Sequence, residues 1–225
     1  MRKHLHILVS SMLAGFCIVI GVLVYLSLLL MDQKLVGSVF FGLGLFGIIH
    51  FNLHLYTGKV GAVLDNKPKY FLELFTCLIG NFIGVVLLAY LAKLTRIVTP
   101  EMISLAQNLV NSKQNDRPFS IFTLAVFCGF MIYIACRGHR ECKYSLGKVI
   151  FVFLAVSIFI LAGFEHCIAN AAYYTIAGIF DLKCLWYFIL MIVGNGVGAI
   201  LFDFLMKLKE SLGKPKEINN EIDEA

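Results

Sequence analysis

The residues best suited to do chemistry in this chain stand together inside an otherwise apolar stretch. Residues 163–170 read Gly-Phe-Glu-His-Cys-Ile-Ala-Asn, so a carboxylate, an imidazole and an amide fall within six positions. Ionisable groups at membrane depth are costly, and they usually mark a functional site that faces a cavity or the protein interior. Histidine can change charge near neutral pH, which suits a pathway for a weak acid or a proton.

The composition indicates an integral membrane protein. Of the 225 residues, 60% are hydrophobic and only 15% are charged, which is far from the balance of a soluble globular domain. The seven cysteines form no CxxC pair and no zinc-site spacing, so we interpret them as packing or lipid-facing residues and expect no metal or other cofactor. The net charge of +5 has a use in orienting the chain in a membrane, and we do not interpret it as nucleic-acid binding.

Six apolar segments are long enough to cross a hydrocarbon layer of about 30 Å. The second reaches a polar break at Tyr56-Thr57-Gly58, and the fifth is too long for one straight helix and contains the polar cluster. The sequence therefore predicts an all-α membrane domain over residues 1–210, with spans two and five broken by loops, and a disordered cytoplasmic tail over 211–225. The predicted spans are 7–31, 34–57, 70–93, 118–136, 147–180 and 183–206.

The basic residues predict the orientation of these spans. With the N-terminus in the cytoplasm, 13 of the 19 lysines and arginines fall on cytoplasmic segments, as the positive-inside rule requires. Both termini are then cytoplasmic, and we expect the protein in the inner (plasma) membrane. The first apolar segment has no small-residue cleavage site, so we interpret it as a retained span and not as a signal peptide.

A weak internal repeat divides the chain into two halves, at about residues 7–95 and 118–208. Each third span carries Gly-Asn-x-x-Gly, and each follows a broken span. Three spans repeated as three must have opposite orientations, and such inverted repeats recur in transporters, with the site where the two breaks meet. Glycine packing explains the motif but not the matching breaks. The first spans also match loosely, at residues 13–17 and 124–128.

Each break has a chemical consequence. The N-terminus of a half-helix that follows a break presents free N–H donors and a partial positive charge, which favour anions. Thr57 adds a hydroxyl donor at the first break, Gly58 is expected to let the backbone turn tightly, and His166 stands beside the second break. Together these groups predict a transient binding site for a small anion and fit a large organic substrate poorly.

Two segments of the chain resemble a known family. Both are similar to motifs of the formate/nitrite transporters: residues 163–170, and Leu55-Tyr56-Thr57-Gly58 after the glycine-rich segment 41–45. The resemblance in the order of the spans extends over about residues 9–206. The resemblance implies an aquaporin-like protomer of six helices that assembles in the lipid bilayer as a homopentamer with one pore in each protomer. It also implies that the pore passes small monovalent anions of weak acids, such as formate, nitrite or hydrosulfide.

The same resemblance implies roles for individual residues. His166 would be the central pore histidine, Thr57 its partner on the loop that interrupts span two, and Asn170 would order the loop that interrupts span five. Glu165 lies on the pathway as well, where we expect it to cap backbone N–H groups or to pair with a basic side chain, because a fixed negative charge would repel anions. Two apolar constrictions would be formed by Phe41, Leu45, Leu55, Tyr56 and Phe159.

The chain departs from the family pattern at several positions. A vestibule lysine before span four is not evident; Arg117 or Lys113 could take its place, and Lys148 is a further candidate for a vestibule charge. Tyr56 stands where many members have phenylalanine, and Tyr133 where some formate channels have asparagine. These differences leave the choice of anion and any gating by pH open.

Two mechanisms fit these residues equally. His166 either donates a proton, so that a neutral acid crosses the constriction, or supplies only positive charge; both reduce the cost of moving a dehydrated anion.

Two other classes of protein stay open, a neutral-solute or water channel and a membrane metal or redox protein. The second rests on His50 and His54, which would share a helix face, although we favour hydrogen bonding between helices for this pair. The chain has no nucleotide-binding P-loop, which argues against an ATP-driven pump, and we expect no enzymatic activity.

Overall fold

The computed structural model describes residues 2–213, and over that range every regular element is a helix. Most of the predicted disordered tail, from residue 214 onward, lies outside the described residues. The elements are α1 (Arg2–Leu30), α2 (Lys34–His50), α3 (Tyr56–Lys59), a 3₁₀ helix (Val60–Asp65), α4 (Tyr70–Lys93), α5 (Pro100–Gln114), α6 (Pro118–Glu141), α7 (Ser145–Leu161), α8 (Cys167–Ala177) and α9 (Leu182–Leu212).

The apolar helices have the dimensions and surfaces that a membrane requires. Four of them, α1, α4, α6 and α9, are long and apolar enough to cross it. The other two, α2 and α7, are apolar but have only 17 residues each, and each is followed by a break and a short second helix. Large apolar side chains such as Phe75 and Leu154 stand exposed on these helices, as expected where lipid covers the outer surface.

Each break begins where the backbone turns left-handed. Asn52 follows α2 with a φ of 51°, and Gly163 follows α7 with a φ of 72°. This conformation ends a helix and redirects the chain within a few residues, and glycine adopts it without the steric cost that asparagine tolerates. Both α2 and α7 therefore end before the corresponding predicted spans do.

The structure corrects the predicted position of the first break. The chain leaves α2 at His50 and re-enters a helix at Tyr56, so Thr57 and Gly58 lie in the first turn of α3 and not in the break. This turn forms because the backbone N–H groups of Gly58 and Lys59 both donate to the carbonyl of Leu55. The turning residue is Asn52, and the predicted role of Gly58 is wrong.

A buried asparagine holds the first break in place. Asn81 on α4 accepts a hydrogen bond from the backbone N–H of Tyr56 at 2.8 Å. Its amide nitrogen donates to the carbonyl of Ser11 on α1 and to that of His54 in the break. A break at this depth leaves backbone groups without helical partners, and one side chain satisfies two of them.

A second asparagine does the same for the other break. Asn195 on α9 accepts from the backbone N–H of Cys167 at 2.9 Å and donates to the carbonyls of Ala125 on α6 and Glu165 in the break. Ser11 therefore corresponds to Ala125 when Asn81 corresponds to Asn195.

This correspondence shows that the predicted match of residues 13–17 with 124–128 is out of register by three positions. The physical reason is close helix packing at two glycines. A Cβ on Gly15 would lie 2.6 Å from the carbonyl oxygen of Asn81, and one on Gly129 would overlap the carbonyl of Asn195. Gly15 and Gly129 are therefore the equivalent residues of the two halves.

Candidate functional site

The two breaks bring Thr57 and His166 into contact. Thr57 Oγ1 lies 2.9 Å from His166 Nε2, and both side chains are buried. His166 caps the N-terminus of α8, where its Nδ1 accepts from the backbone N–H of Ala169 at 3.0 Å. A neutral imidazole has one donor and one acceptor nitrogen, so Nε2 carries the proton and donates to Thr57. The hydroxyl proton of Thr57 is then free to donate to a ligand.

Backbone donors lie beside this pair. Thr57 and Ile168 are the second residues of α3 and α8, and their N–H groups have no acceptor among residues 2–213. The first N–H groups of a helix lack partners inside the helix and give its start a partial positive charge. The site therefore combines a hydroxyl donor with N–H donors in a buried place.

An ion pair between a half-buried lysine and a buried glutamate supports the second break. Lys113 on α5 lies 2.7 and 2.8 Å from the two carboxylate oxygens of Glu165, and Asn170 Nδ2 donates to one of these oxygens at 2.8 Å. Asn170 Nδ2 also donates to the carbonyl of His166 at 3.0 Å. The expected pairing of Glu165 with a basic side chain is confirmed, and Asn170 connects the ion pair to the backbone of His166. The amide oxygen of Asn170 is buried and has no donor among the described residues.

Two cavities adjoin the Thr57–His166 pair. One has a volume of about 290 Å³ and is lined by His166, Asn170, Lys113 and Lys34, among other residues. We call it the Lys113 cavity. The other has a volume of about 230 Å³ and is lined by Leu55 and Gly58, which flank Thr57, and by the three basic residues Lys59, His139 and Arg140. We call it the Lys59 cavity. The pair borders the Lys113 cavity through His166 and adjoins the Lys59 cavity through the neighbours of Thr57.

Apolar side chains narrow the space on both sides of the pair. Phe41 and Phe159 meet edge to face with ring centroids 6.0 Å apart, and Phe159 stacks on the His166 ring at 5.9 Å. Leu45 and Leu55 line the Lys59 cavity, and each is only 2% exposed. These four residues pack close to the pair, and that they form two constrictions stays a prediction.

Tyr56 departs from this arrangement. Its hydroxyl donates to the carbonyl of Ile192 on α9 at 3.2 Å, and the residue lines neither the Lys113 nor the Lys59 cavity. Adjacent residues of a helical turn point in different directions, so Thr57 faces the site while Tyr56 packs against α9. The assignment of Tyr56 to a constriction stays a prediction, and the contact of its hydroxyl with α9 does not by itself support it.

The charged residues at the cavities are only partly those predicted. Arg117 stands exposed at the start of α6 and Lys148 lies half-buried on α7, and neither lines a cavity that adjoins the pair. Of the two candidates before span four, Lys113 lies at the cavity, because α5 packs against α8 and brings the lysine to Glu165. The sequence predicts Lys59 and Arg140 only as cytoplasmic charges; what indicates a place at a cavity is their position directly after the predicted break and near the end of span four.

Tyr133 and His54 each lie within hydrogen-bond distance of a side chain on a neighbouring helix. Tyr133 lies outside both cavities, where its hydroxyl donates to Asp203 at 2.7 Å and accepts from Arg137 at 2.8 Å. His54 lies in the first break and not on the helix of His50, so the shared helix face is wrong; hydrogen bonding between segments is confirmed for His54, which lies 2.8 Å from Ser10 Oγ. Residues 2–213 contain no cluster of three or more His, Cys, Asp or Glu side chains that could hold a metal.

An all-helical membrane protein in which two interrupted helices meet over a buried polar pair belongs to the class of channels and transporters. Residues 1–208 match the sequence profile of the Formate/nitrite transporter family. The chain belongs to this family. The family comprises transport proteins and not enzymes, in agreement with the sequence analysis.

Solved structures share the fold. The chain superposes on a "Pentameric formate channel with formate bound" with a TM-score of 0.82 at 19% identity, covering 94% of this chain and 98% of that one. It superposes on an "FNT family ion channel" with a TM-score of 0.75 at 20% identity, covering 94% and 91% of the two chains. The predicted all-α, aquaporin-like fold class is confirmed, whereas the number of membrane spans stays a prediction.

The alignments with known relatives cover only part of the length of each relative. The chain is 22% identical to the formate channel FocA of Haemophilus influenzae over 72% of this chain and 62% of that protein. It is 27% identical to the formate channel FocB of Escherichia coli, over 75% and 65% of the two chains. It is 26% identical to a formate-nitrite transporter of Plasmodium knowlesi, over 65% and 54%. The chain thus spans less than two thirds of the length of each of these relatives.

Proposed function

We propose that this protein is a channel or transporter for small monovalent anions of weak acids, with formate, nitrite and hydrosulfide as the candidates. The observation that carries the proposal is the buried Thr57–His166 pair, which adjoins two cavities with basic linings. Membership of the Formate/nitrite transporter family supports it, as do relatives described as formate channels.

The charge at the two cavities favours anions. Lys34 and Lys113 line one cavity, Lys59 and Arg140 line the other, and among the described residues neither lining includes an aspartate or glutamate. Clefts lined by one sign of charge raise the local concentration of the opposite ion. Glu165 lies close to the path, where it and Lys113 neutralise each other, so the remaining positive charge at that cavity comes from Lys34.

The centre of the site replaces part of the water that an anion loses. A dehydrated anion between Phe41 and Phe159 would cost several kcal/mol if nothing compensated for it. The hydroxyl of Thr57 and the free N–H groups of Thr57 and Ile168 supply donors at that point. To act as a donor, the imidazole first takes up a second proton at Nδ1, which releases the backbone N–H of Ala169; Nε2–H then passes its proton through the Thr57 hydroxyl to the anion and leaves a neutral imidazole. In a second version of the mechanism a protonated imidazole supplies only positive charge.

The architecture we propose has six spans, with α2–α3 and α7–α8 as the two broken ones and both termini in the cytoplasm. Basic side chains gathered near the ends of α6 and α9 support this orientation, since Arg137 bonds to Glu210 and Lys207 to Asp65. We further propose a homopentamer in the plasma membrane, because one structure of the same fold is described as a pentameric formate channel.

The experiment is anion flux into proteoliposomes, comparing formate, nitrite and hydrosulfide at acidic and neutral pH. We expect at least one anion to cross well above the rate in empty liposomes, and native mass spectrometry to give a pentamer. Absence of flux for every one of the three, with folded protein in the bilayer, would overturn the proposed function.

The same assay separates His166 from the rest of the site. A folded His166→Ala protein is expected to lose the pH dependence of flux, because both versions of the mechanism require the imidazole. Unchanged pH dependence in this variant would exclude both versions while leaving the class of protein intact.

A further inference from the structure

We infer that Tyr25 and Tyr173 form a binding subsite for oxyanions in the Lys113 cavity, next to the Phe41–Phe159 constriction. The subsite favours anions with two oxygen acceptors, carboxylate or nitrite, over hydrosulfide. This inference rests on the proposed function and names the class of substrate that the site selects.

The two tyrosines come from different elements and meet at one cavity. Tyr25 lies near the end of α1 and Tyr173 in α8, and their ring centroids are 6.5 Å apart. Both line the Lys113 cavity, although they are only 6% and 8% exposed. The small accessible part of each residue therefore includes part of the cavity wall.

Neither hydroxyl is satisfied by the protein. Among residues 2–213 no hydrogen bond involves the hydroxyl of Tyr25 or Tyr173, whereas the hydroxyl of the equally buried Tyr187 donates to the carbonyl of Asp116 at 2.6 Å. A buried tyrosine hydroxyl normally finds a partner. The hydroxyl of Tyr174 also lacks one but is sealed by protein, and those of Tyr25 and Tyr173 are not. They are therefore open donors at the cavity.

The pair stands directly before the constriction. The Tyr25 ring meets Phe41 edge to face at 6.4 Å, Phe41 meets Phe159 at 6.0 Å, and Phe159 stacks on His166 at 5.9 Å. Lys34, on the same cavity, attracts an anion without choosing among anions. The tyrosines are the next donors along this path, and a cavity of about 290 Å³ leaves room for an anion with several waters.

The chemistry of a phenol donor discriminates among the candidate anions. Hydrogen bonds from O–H to a charged oxygen are short and strong. Sulfur is a weak acceptor, so hydrosulfide gains much less from the same donors. A carboxylate or nitrite also has two oxygens and can accept from two donors at once. Two phenols at one cavity therefore match an oxyanion better than hydrosulfide.

The test compares flux of formate, nitrite and hydrosulfide through the unsubstituted protein and through Tyr25→Phe, Tyr173→Phe and the double variant. Phenylalanine keeps the ring and removes only the hydroxyl. We expect the double variant to reduce the ratio of formate or nitrite flux to hydrosulfide flux about tenfold, in line with the strength of hydrogen bonds to charged groups. Tyr90→Phe is the matched control, because Tyr90 is 58% exposed on α4.

Each outcome has a separate meaning. An unchanged ratio, or an equal fall for all three anions, would overturn the oxyanion subsite and leave the proposed function standing. An unsubstituted protein that carries hydrosulfide but neither oxyanion would do the same. If the unsubstituted protein carries none of the three anions, the proposed function fails and the subsite fails with it.

Discussion

The hydroxyl of Thr57 is the residue-scale feature with the clearest consequence for transport, because it joins His166 Nε2 to the path. Replacing it with valine keeps a branched side chain and removes both donor and acceptor. We expect Thr57→Val to lower anion flux about tenfold or more, since a donor to a charged ligand contributes ~1.5–3 kcal/mol. Flux in proteoliposomes, with the amount of folded protein held equal, measures this.

The matched control is Thr123→Val, because Thr123 on α6 is half-buried and lines neither cavity, and within residues 2–213 its hydroxyl bonds only to the carbonyl of Phe119. Its flux should equal that of the unsubstituted protein. Thr57→Val and Thr123→Val proteins with the same flux would show that the hydroxyl of Thr57 has no part in permeation.

The Lys113–Glu165 pair is expected to contribute chiefly to stability. Lys113→Met leaves the carboxylate of Glu165 buried without its cation, and removing one partner of a buried pair typically costs about 3–5 kcal/mol. Glu165→Gln should cost less, because the new amide oxygen can still accept from Asn170. The midpoint of thermal unfolding in detergent measures both.

The double variant Lys113→Met/Glu165→Gln provides the internal control. It should unfold at a higher temperature than Lys113→Met alone, since it no longer buries an unpaired charge. A double variant less stable than either single variant would mean that the two side chains stabilise the fold independently of each other.

At the residue scale, the sequence alone identifies His166 and Thr57 as candidate site residues, because polar residues in apolar spans are rare and carry a strong signal. It could not choose between Lys113 and Arg117, since the choice depends on how α5 packs against α8. Tyr25 and Tyr173 gave no signal, because an aromatic residue in an apolar span is ordinary and only the fold shows that its hydroxyl lacks a partner.

At the scale of elements, the two interrupted helices depend on one asparagine each. Asn81→Ala and Asn195→Ala should each destabilise the protein by about 2–4 kcal/mol, because each removes three hydrogen bonds and leaves buried backbone groups unpaired. Thermal unfolding in detergent again measures the change, and Asn108→Ala, at an exposed position of α5, is the control. Equal midpoints for Asn108→Ala and either of the other variants would disprove the role of that asparagine.

The helices were more predictable than the breaks. Long apolar runs predict α1, α4, α6 and α9 directly, because only a helix satisfies its own backbone in lipid. The first break was placed too late, since Tyr56-Thr57-Gly58 looks polar while the chain turns earlier, at Asn52. The Gly-Asn-x-x-Gly motif was interpreted as glycine packing, and the role of its asparagine needed the positions of both breaks.

For the whole molecule, the proposed orientation makes a prediction about accessibility. A thiol introduced at Asn115, between α5 and α6, should react with a membrane-impermeant reagent from outside intact cells. One introduced at Lys67, after the 3₁₀ helix, should react only after permeabilisation. The background protein carries serine in place of the half-buried cysteines Cys17, Cys136 and Cys142.

The opposite pattern of labelling would reverse the orientation of the whole chain without changing the fold. Labelling of both positions from the same side of the membrane would contradict the proposed number of spans between them.

The contact between Thr57 and His166 also has a consequence for biogenesis. Its two members belong to different halves and are separated by 109 positions, so the ribosome completes the first half well before the second. A nascent chain that ends with α6 holds Thr57 but neither His166 nor α8, and it lacks one wall of the Lys113 cavity. A partly made chain therefore lacks the Thr57–His166 site, and we expect transport to begin only after the second half has been inserted.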